Sequence, residues 1–146
     1  MTTPGVYQAS VDAYRSRQLY VNGSRATRAR TTNYPTYFLP QWTTAPGNGG
    51  IIYVVDPMNP VSWQDPLSWT NQQEIEAVIL TQWKMMRVPL SSISIGEITM
   101  QQPAWNNANV YFDMSGTMPG EWSFWQVTWF ENAYEFLTEP RQWYLD

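Results

Sequence analysis

Asp113 and Glu121 flank a turn bearing two glycines and a proline, Ser115 to Gly120, and are the acidic pair best spaced for acid–base work in this 146-residue chain. Facing each other across a hairpin beside aromatic rings, two such carboxylates would suit cleavage of a glycosidic bond. The same pattern describes two solvent-facing turn residues, and it has no diagnostic spacing. Glu74 and Glu76 are two residues apart, so on a helix they would point in different directions. The chain has no His and no Cys, which removes the commonest general base and every thiol or Ser-His mechanism. Its acids are scattered, with no DxDxDG-type loop to hold a cation. Neither GxGxxG nor GxxxxGK[ST] occurs, and the glycine-rich GNGG at 47–50 lacks the Lys and helix of a phosphate cradle. The expectation is a protein that is not an enzyme and takes no cofactor or metal.

The cations are more suggestive. Arg15, Arg17, Arg25, Arg28 and Arg30 oppose only Asp12 in the first fifty residues, giving +4, while residues 51–146 carry −8. Five arginines interleaved with Tyr14 and Tyr20 could touch nucleic-acid phosphates and stack on bases. They could equally meet acidic faces of neighbouring protein subunits, or remain a solvated tail. Protein contact is preferred, because five charges are few, the segment has no Lys and the body is acidic.

Tyr34, Tyr37, Phe38 and Trp42 follow, interleaved with Pro35, Pro40 and Pro46. Proline fixes the backbone and pushes its predecessor to extended conformations. The stretch therefore reads as an extended strap with aromatic anchors, laid on its own body or on a neighbour. Trp122, Trp125 and Trp129 could offer a platform for a sugar ring, although Trp is more often buried in a core.

These residues need elements to position them. Residues 1–50 show no sustained hydrophobic period beyond a turn or two of helix over Val11 to Leu19, and they read as an extended N-terminal arm ending in a hinge at 47–50. Ile51 to Val55 is β-branched and bounded by turn residues, which predicts a short strand. Pro57, Pro60 and Pro66 mark a loop that Trp63 and Trp69 pin to the body. Ile75, Val78, Ile79 and Met86 fall at helical spacing, with Ser68 or Thr70 as cap, acids early, cations late and Pro89 as stop; this predicts the main helix over 70–86. Ile93 to Met100 predicts a strand with a bulge at Gly96-Glu97, and Asn109 to Met114 another. Glu121 to Phe130 fits a strand better than a helix on its aromatic and β-branched content. Asn132 to Leu137 closes with a helical turn. The predicted fold class is α+β: a small antiparallel sheet with one main helix, preceded by the long arm, with residues 1–50 as arm and hinge and 51–146 as body.

Aromatic residues make up 16% of the chain and charged residues only 14%, a balance typical of surfaces covered by other proteins. MTTPGVYQAS lacks the basic-then-apolar pattern of a signal peptide, and no stretch approaches the length of a membrane span. The expectation is a structural subunit of a large assembly. A virion component such as a minor capsid, cement or head–tail protein of a tailed phage, assembled in the host cytoplasm, fits best. A carbohydrate-binding module is the alternative, and a carboxylate-dependent glycan hydrolase a more remote one.

Overall fold

The computed structural model describes residues 5–11, 15–31, 49–52, 66–80, 85–105, 107 and 127–146. Among the described residues there are nine short strands: β1 (Tyr20–Val21), β2 (Ser24–Arg25), β3 (Thr27–Arg28), β4 (Gly50–Ile52), β5 (Glu76–Leu80), β6 (Met85–Ser94), β7 (Glu97–Met100), β8 (Trp129–Glu131) and β9 (Gln142–Trp143). Short 3₁₀ turns lie at Pro66–Ser68, Gln72–Glu74 and Tyr134–Phe136. The fold is mostly β, and the expected α+β class is overturned: among the described residues no helix reaches seven residues. None is long and apolar enough to cross a membrane.

The centre is a five-stranded antiparallel sheet in the order β4-β7-β6-β5-β8. Where a helix over 70–86 is expected, the chain makes a 3₁₀ turn and then strand β5, with β6 beginning at Met85. Ile75, Ala77, Val78 and Ile79 form a nearly continuous run, all fully buried. A short apolar run satisfies a helical period and a strand buried on both faces equally well. The β-branched side chains and the pairing available on both sides of β5 decide for the strand.

Pro89, expected to stop a helix, lies inside β6 where pairing passes from β5 to β7. It has no N–H to offer Gln101 across the ladder. The Gln101 carbonyl accepts instead from Trp105 N (3.0 Å), while Pro89 still accepts from Gln101 N (2.8 Å). The expected bulge at Gly96-Glu97 is a tight turn: Ser94 pairs with Glu97, and Gly96 carries the positive φ of 77° that the turn requires. The register between β6 and β7 shifts instead at Leu90/Ser92.

One face of the sheet holds the hydrophobic core. Ala77, Ile79, Met86, Val88, Leu90, Ile98 and Met100 pack there with Ile75, Trp69, Trp105, Phe130 and Phe136. Trp69 sits between Phe130 and Phe136, with ring centroids 5.1 and 4.9 Å away. Gly49, read as part of a hinge, is a packing position, since a Cβ there would collide with the Trp105 ring. Ile51 and Ile52 lie in β4; residues 53–55, the strand expected at 109–114 and the turn expected at 115–120 lie outside the described residues.

The N-terminal segment contributes to this body. Residues 15–19, expected to include helix, form no regular element and bend at Arg17. β1 and β2 then form a hairpin with Asn22 and Gly23 at its turn, both at positive φ. β3 pairs in parallel with β9, and Ala29 bridges the two neighbours on either side of it. Its N–H donates to Trp143 O (2.7 Å) and its carbonyl accepts from Asn132 N (2.9 Å). Thr31 N donates to Phe130 O (2.9 Å), so residues 29–31 cover the edge of β8.

Candidate functional site

Side chains alternate along a strand. With Ala77 and Ile79 in the core, Glu76, Val78 and Leu80 face the other side of the sheet. The register sets Glu76 opposite Glu131, Val78 between Arg87 and Trp129, and Leu80 opposite Met85. Two carboxylates directly opposite each other repel. Here both are buried, their side chains only 6% and 5% exposed.

The repulsion is resolved by cations from two directions. Arg28 reaches in from β3, and its Nη1 donates to Glu76 Oε2 and to Glu131 Oε1, the latter at 3.0 Å. Arg17 clasps Glu76 from outside, donating from Nε to both carboxylate oxygens (3.2 Å each) and from Nη2 to Oε1. Arg87, from β6, donates from Nε to Glu131 Oε1 (2.8 Å), and Trp129 Nε1 donates to Glu131 Oε2 (2.9 Å). Burial of the Glu76 carboxyl opposes its ionisation. The hydrogen bonds from Arg17 and Arg28 and their charges more than offset that, holding its pKa below the ordinary carboxylate value. The hydrogen bond to Glu76 likewise raises Arg17.

Asn132 locks the clamp to both chain ends. Held at φ 76° and fully buried, it spends all of its amide capacity. Oδ1 accepts from Arg28 Nε (3.2 Å) and Leu145 N (2.8 Å), and Nδ2 donates to Glu74 O (2.9 Å) and Leu145 O (2.8 Å). Asparagine tolerates the left-handed backbone better than most residues, so one side chain meets both demands.

Arg17 and Arg28 are the two feet of the β1–β2 hairpin, and both stand on Glu76. Between them the chain projects outward, closed by Ala26 N donating to Leu19 O (2.8 Å). Leu19, Tyr20 and Val21 on this projection are 40, 59 and 54% exposed, with Arg25 beside them. The clamp contains three guanidiniums and two carboxylates, leaving one positive charge in excess. Arg30 adds another, its guanidinium 4.4 Å over the Trp129 ring.

The five arginines singled out from the sequence thus divide. Arg17 and Arg28 are bound to the chain's own sheet. Arg30 stacks on Trp129. Arg15 makes a loose, exposed pair with Glu74 at 3.6 Å, and Arg25 points to solvent. Tyr34, Tyr37, Phe38 and Trp42 lie outside the described residues, as do Asp113, Glu121, Trp63, Trp122 and Trp125. Trp129 is buried beneath Arg30 rather than open as a platform. Glu76, Glu131, Arg87 and Asn132 are the site residues that sequence reasoning missed. The Asn22-Gly23 pair between Tyr20-Val21 and Ser24-Arg25 is a strong hairpin signal that could have found the projection.

Chemically the arrangement holds charge rather than moving protons. Each carboxylate oxygen already accepts from a guanidinium or an indole, and neither Glu is open to a substrate. Among the described residues no group of three or more acidic, His or Cys side chains could hold a metal ion. Comparisons with family models, with curated proteins and with solved structures found no match for this chain.

Removing Arg28 takes away the one cation that bridges the two buried carboxylates and leaves each a single guanidinium, Arg17 or Arg87, so Arg28→Ala is expected to lose up to about 3–5 kcal/mol of stability. Arg15→Ala, at an exposed pair, should lose at most about 1 kcal/mol; urea denaturation of both variants checks the contrast. The depressed Glu76 pKa fixes the sign of a pH effect. Its contribution is complete above the ordinary carboxylate value of 4.5 and is lost as pH falls through the lower folded value. Glu76→Gln should therefore be less stable than the parent near neutral pH, and its stability should fall less steeply on acidification; denaturation midpoints between neutral and acid pH measure this.

Proposed function

We propose that this chain is a structural subunit of a large assembly, of the kind found in virions as minor capsid, cement or head–tail proteins, and that it grips a neighbouring subunit through the β1–β2 hairpin. The observation that carries the reading is a projection with exposed apolar side chains whose two feet are fixed on one buried carboxylate. A contact element held rigid before binding loses less conformational freedom on association. Large exposed aromatic and β-branched side chains at a hairpin tip are otherwise a liability in water.

The division of the arginines supports protein contact over nucleic acid. Arg17 and Arg28 are engaged with buried carboxylates, and Arg15, Arg25 and Arg30 alone are too few cations on the arm for a phosphate track. The acidic remainder of the chain would repel a polyanion. The low overall charge and the aromatic content fit a subunit largely covered in its working state. The neighbours would be protein subunits, and no membrane or cofactor is needed.

Sedimentation of an extract of the native source, following this chain by mass spectrometry, tests the reading. Recovery in a fraction of megadalton size is expected, and recovery only as a small free species would contradict it. Tyr20→Ala combined with Val21→Ala should leave the denaturation midpoint nearly unchanged and reduce recovery in the large fraction at least about tenfold, as for interface anchors.

A further inference from the structure

The charges that the fold leaves over point to the partner of the hairpin. On the basic side, Arg25 at the hairpin and Arg30 above the clamp have no carboxylate within ion-pair distance among the described residues. Arg87 engages Glu131 through Nε, and neither of its Nη groups meets an acceptor among the described residues. On the acidic side, the neighbours Thr70 and Asn71 bind Glu135 and Asp146, and the Glu74 N–H donates to Asn71 O (2.8 Å). Thr70 donates from N and Oγ1 to Glu135 Oε1 (3.1 and 2.8 Å), and Asn71 Nδ2 donates to Asp146 Oδ2 (3.2 Å). Among the described residues no cation lies within ion-pair distance of Glu135 or Asp146.

Tyr134 and Tyr144 stand edge to face beside this corner, centroids 5.8 Å apart. Burial, with the charges of Asp146 and Glu135, raises the Tyr144 hydroxyl above its ordinary pKa, which agrees with a locally negative potential. Arg15 of the chain's own arm already approaches Glu74 at 3.6 Å, so a guanidinium from such an arm is the kind of group the corner receives. One molecule therefore carries an apolar, positively charged projection and an acidic, aromatic corner, each with unspent charge.

We propose that the hairpin of one copy docks on the Glu135–Asp146 corner of a second copy of this chain. This deepens the reading of the chain as an assembly subunit and rests on it. Leu19, Tyr20 and Val21 supply apolar contact for the tyrosine pair, and Arg25 supplies the cation. Joining two different patches in this way gives a closed twofold dimer where both contacts form reciprocally, and rings or open filaments where they run head to tail.

Sedimentation velocity of the purified full chain across a concentration range tests the proposal. Self-association is expected at about 0.1 M salt and should weaken strongly at about 1 M, where the screening length falls from about 10 Å to about 3 Å. Arg25→Glu alone and Asp146→Lys alone should each weaken association at least about tenfold. Both positions are exposed, so circular dichroism should show both variants folded. Mixing the two should restore association, because the reversed charges complement each other between molecules. A chain that stays monomeric at low salt, or a mixture that does not recover, overturns the proposal. A monomer in the tube that is still recovered in the large native fraction would overturn docking between copies while leaving the assembly reading intact.

Discussion

Glu76 and Glu131 face each other across β5 and β8, shielded from water. A like-charge pair in that setting is tolerable only if cations are brought to it. The two cations that bind Glu76 come from the N-terminal segment, not from the sheet that carries the carboxylates. The course of residues 15–31 follows from that constraint. Arg17 and Arg28 must both reach Glu76, so the chain between them has to leave and return. An Asn-Gly turn is a short way to do so. Arg28 must lie along the β8 edge, so residues 29–31 run beside that strand and β3 pairs with β9. Asn132 then joins Arg28, the end of the Gln72–Glu74 turn and Leu145 through one amide.

The sheet is thus covered on two sides by different physics. Its core face is held by burial of Ile, Val, Leu, Met and aromatic side chains. Its other face is held by directed charge-assisted hydrogen bonds, with Val78 fully buried between Arg87 and Trp129. Apolar packing tolerates sliding, whereas a bidentate guanidinium fixes position. A hairpin anchored on Glu76 at one foot by the bidentate Arg17 and at the other by Arg28, which bridges Glu76 and Glu131, has a defined direction. A direction of this kind is what a contact element needs when it must meet a neighbour at a set angle.

Parts of this were legible in the sequence. The β7 part of the strand expected over Ile93 to Met100, the start of the short strand after Gly49, the anchoring by Trp69 and the helical turn after Asn132 rest on local signals; the turn at Ile95-Gly96 that splits the first of these from β6 reads in the sequence as a bulge. The strand at Glu76–Leu80 was not legible, because Ile75, Val78 and Ile79 fit two periods at once and a nearby acid and proline look like helix punctuation. In the fold, Glu76 is a buried ligand for arginine and Pro89 sits where β6 changes partners. The clamp itself joins positions up to 103 residues apart, as in the Arg28–Glu131 pair, and no local pattern encodes such a contact. The charge imbalance between the two parts of the chain was visible, but not that basic and acidic parts meet within one molecule. The hairpin is the instructive miss, since its Asn-Gly turn lies in plain view and only the surrounding polar run hid it.

Native-state hydrogen exchange tests most directly whether the arginine clamp makes the N-terminal segment part of the body. The amides of Ala29, Thr31 and Asn132 report on the segment and its edge, and that of Leu90 on the central sheet. If the clamp binds them into one cooperative unit, these amides should open with nearly the same free energy as Leu90. Fast exchange at Ala29 and Thr31 while Leu90 stays protected would show a loosely laid arm, and would contradict a fold organised around Glu76 and Arg28.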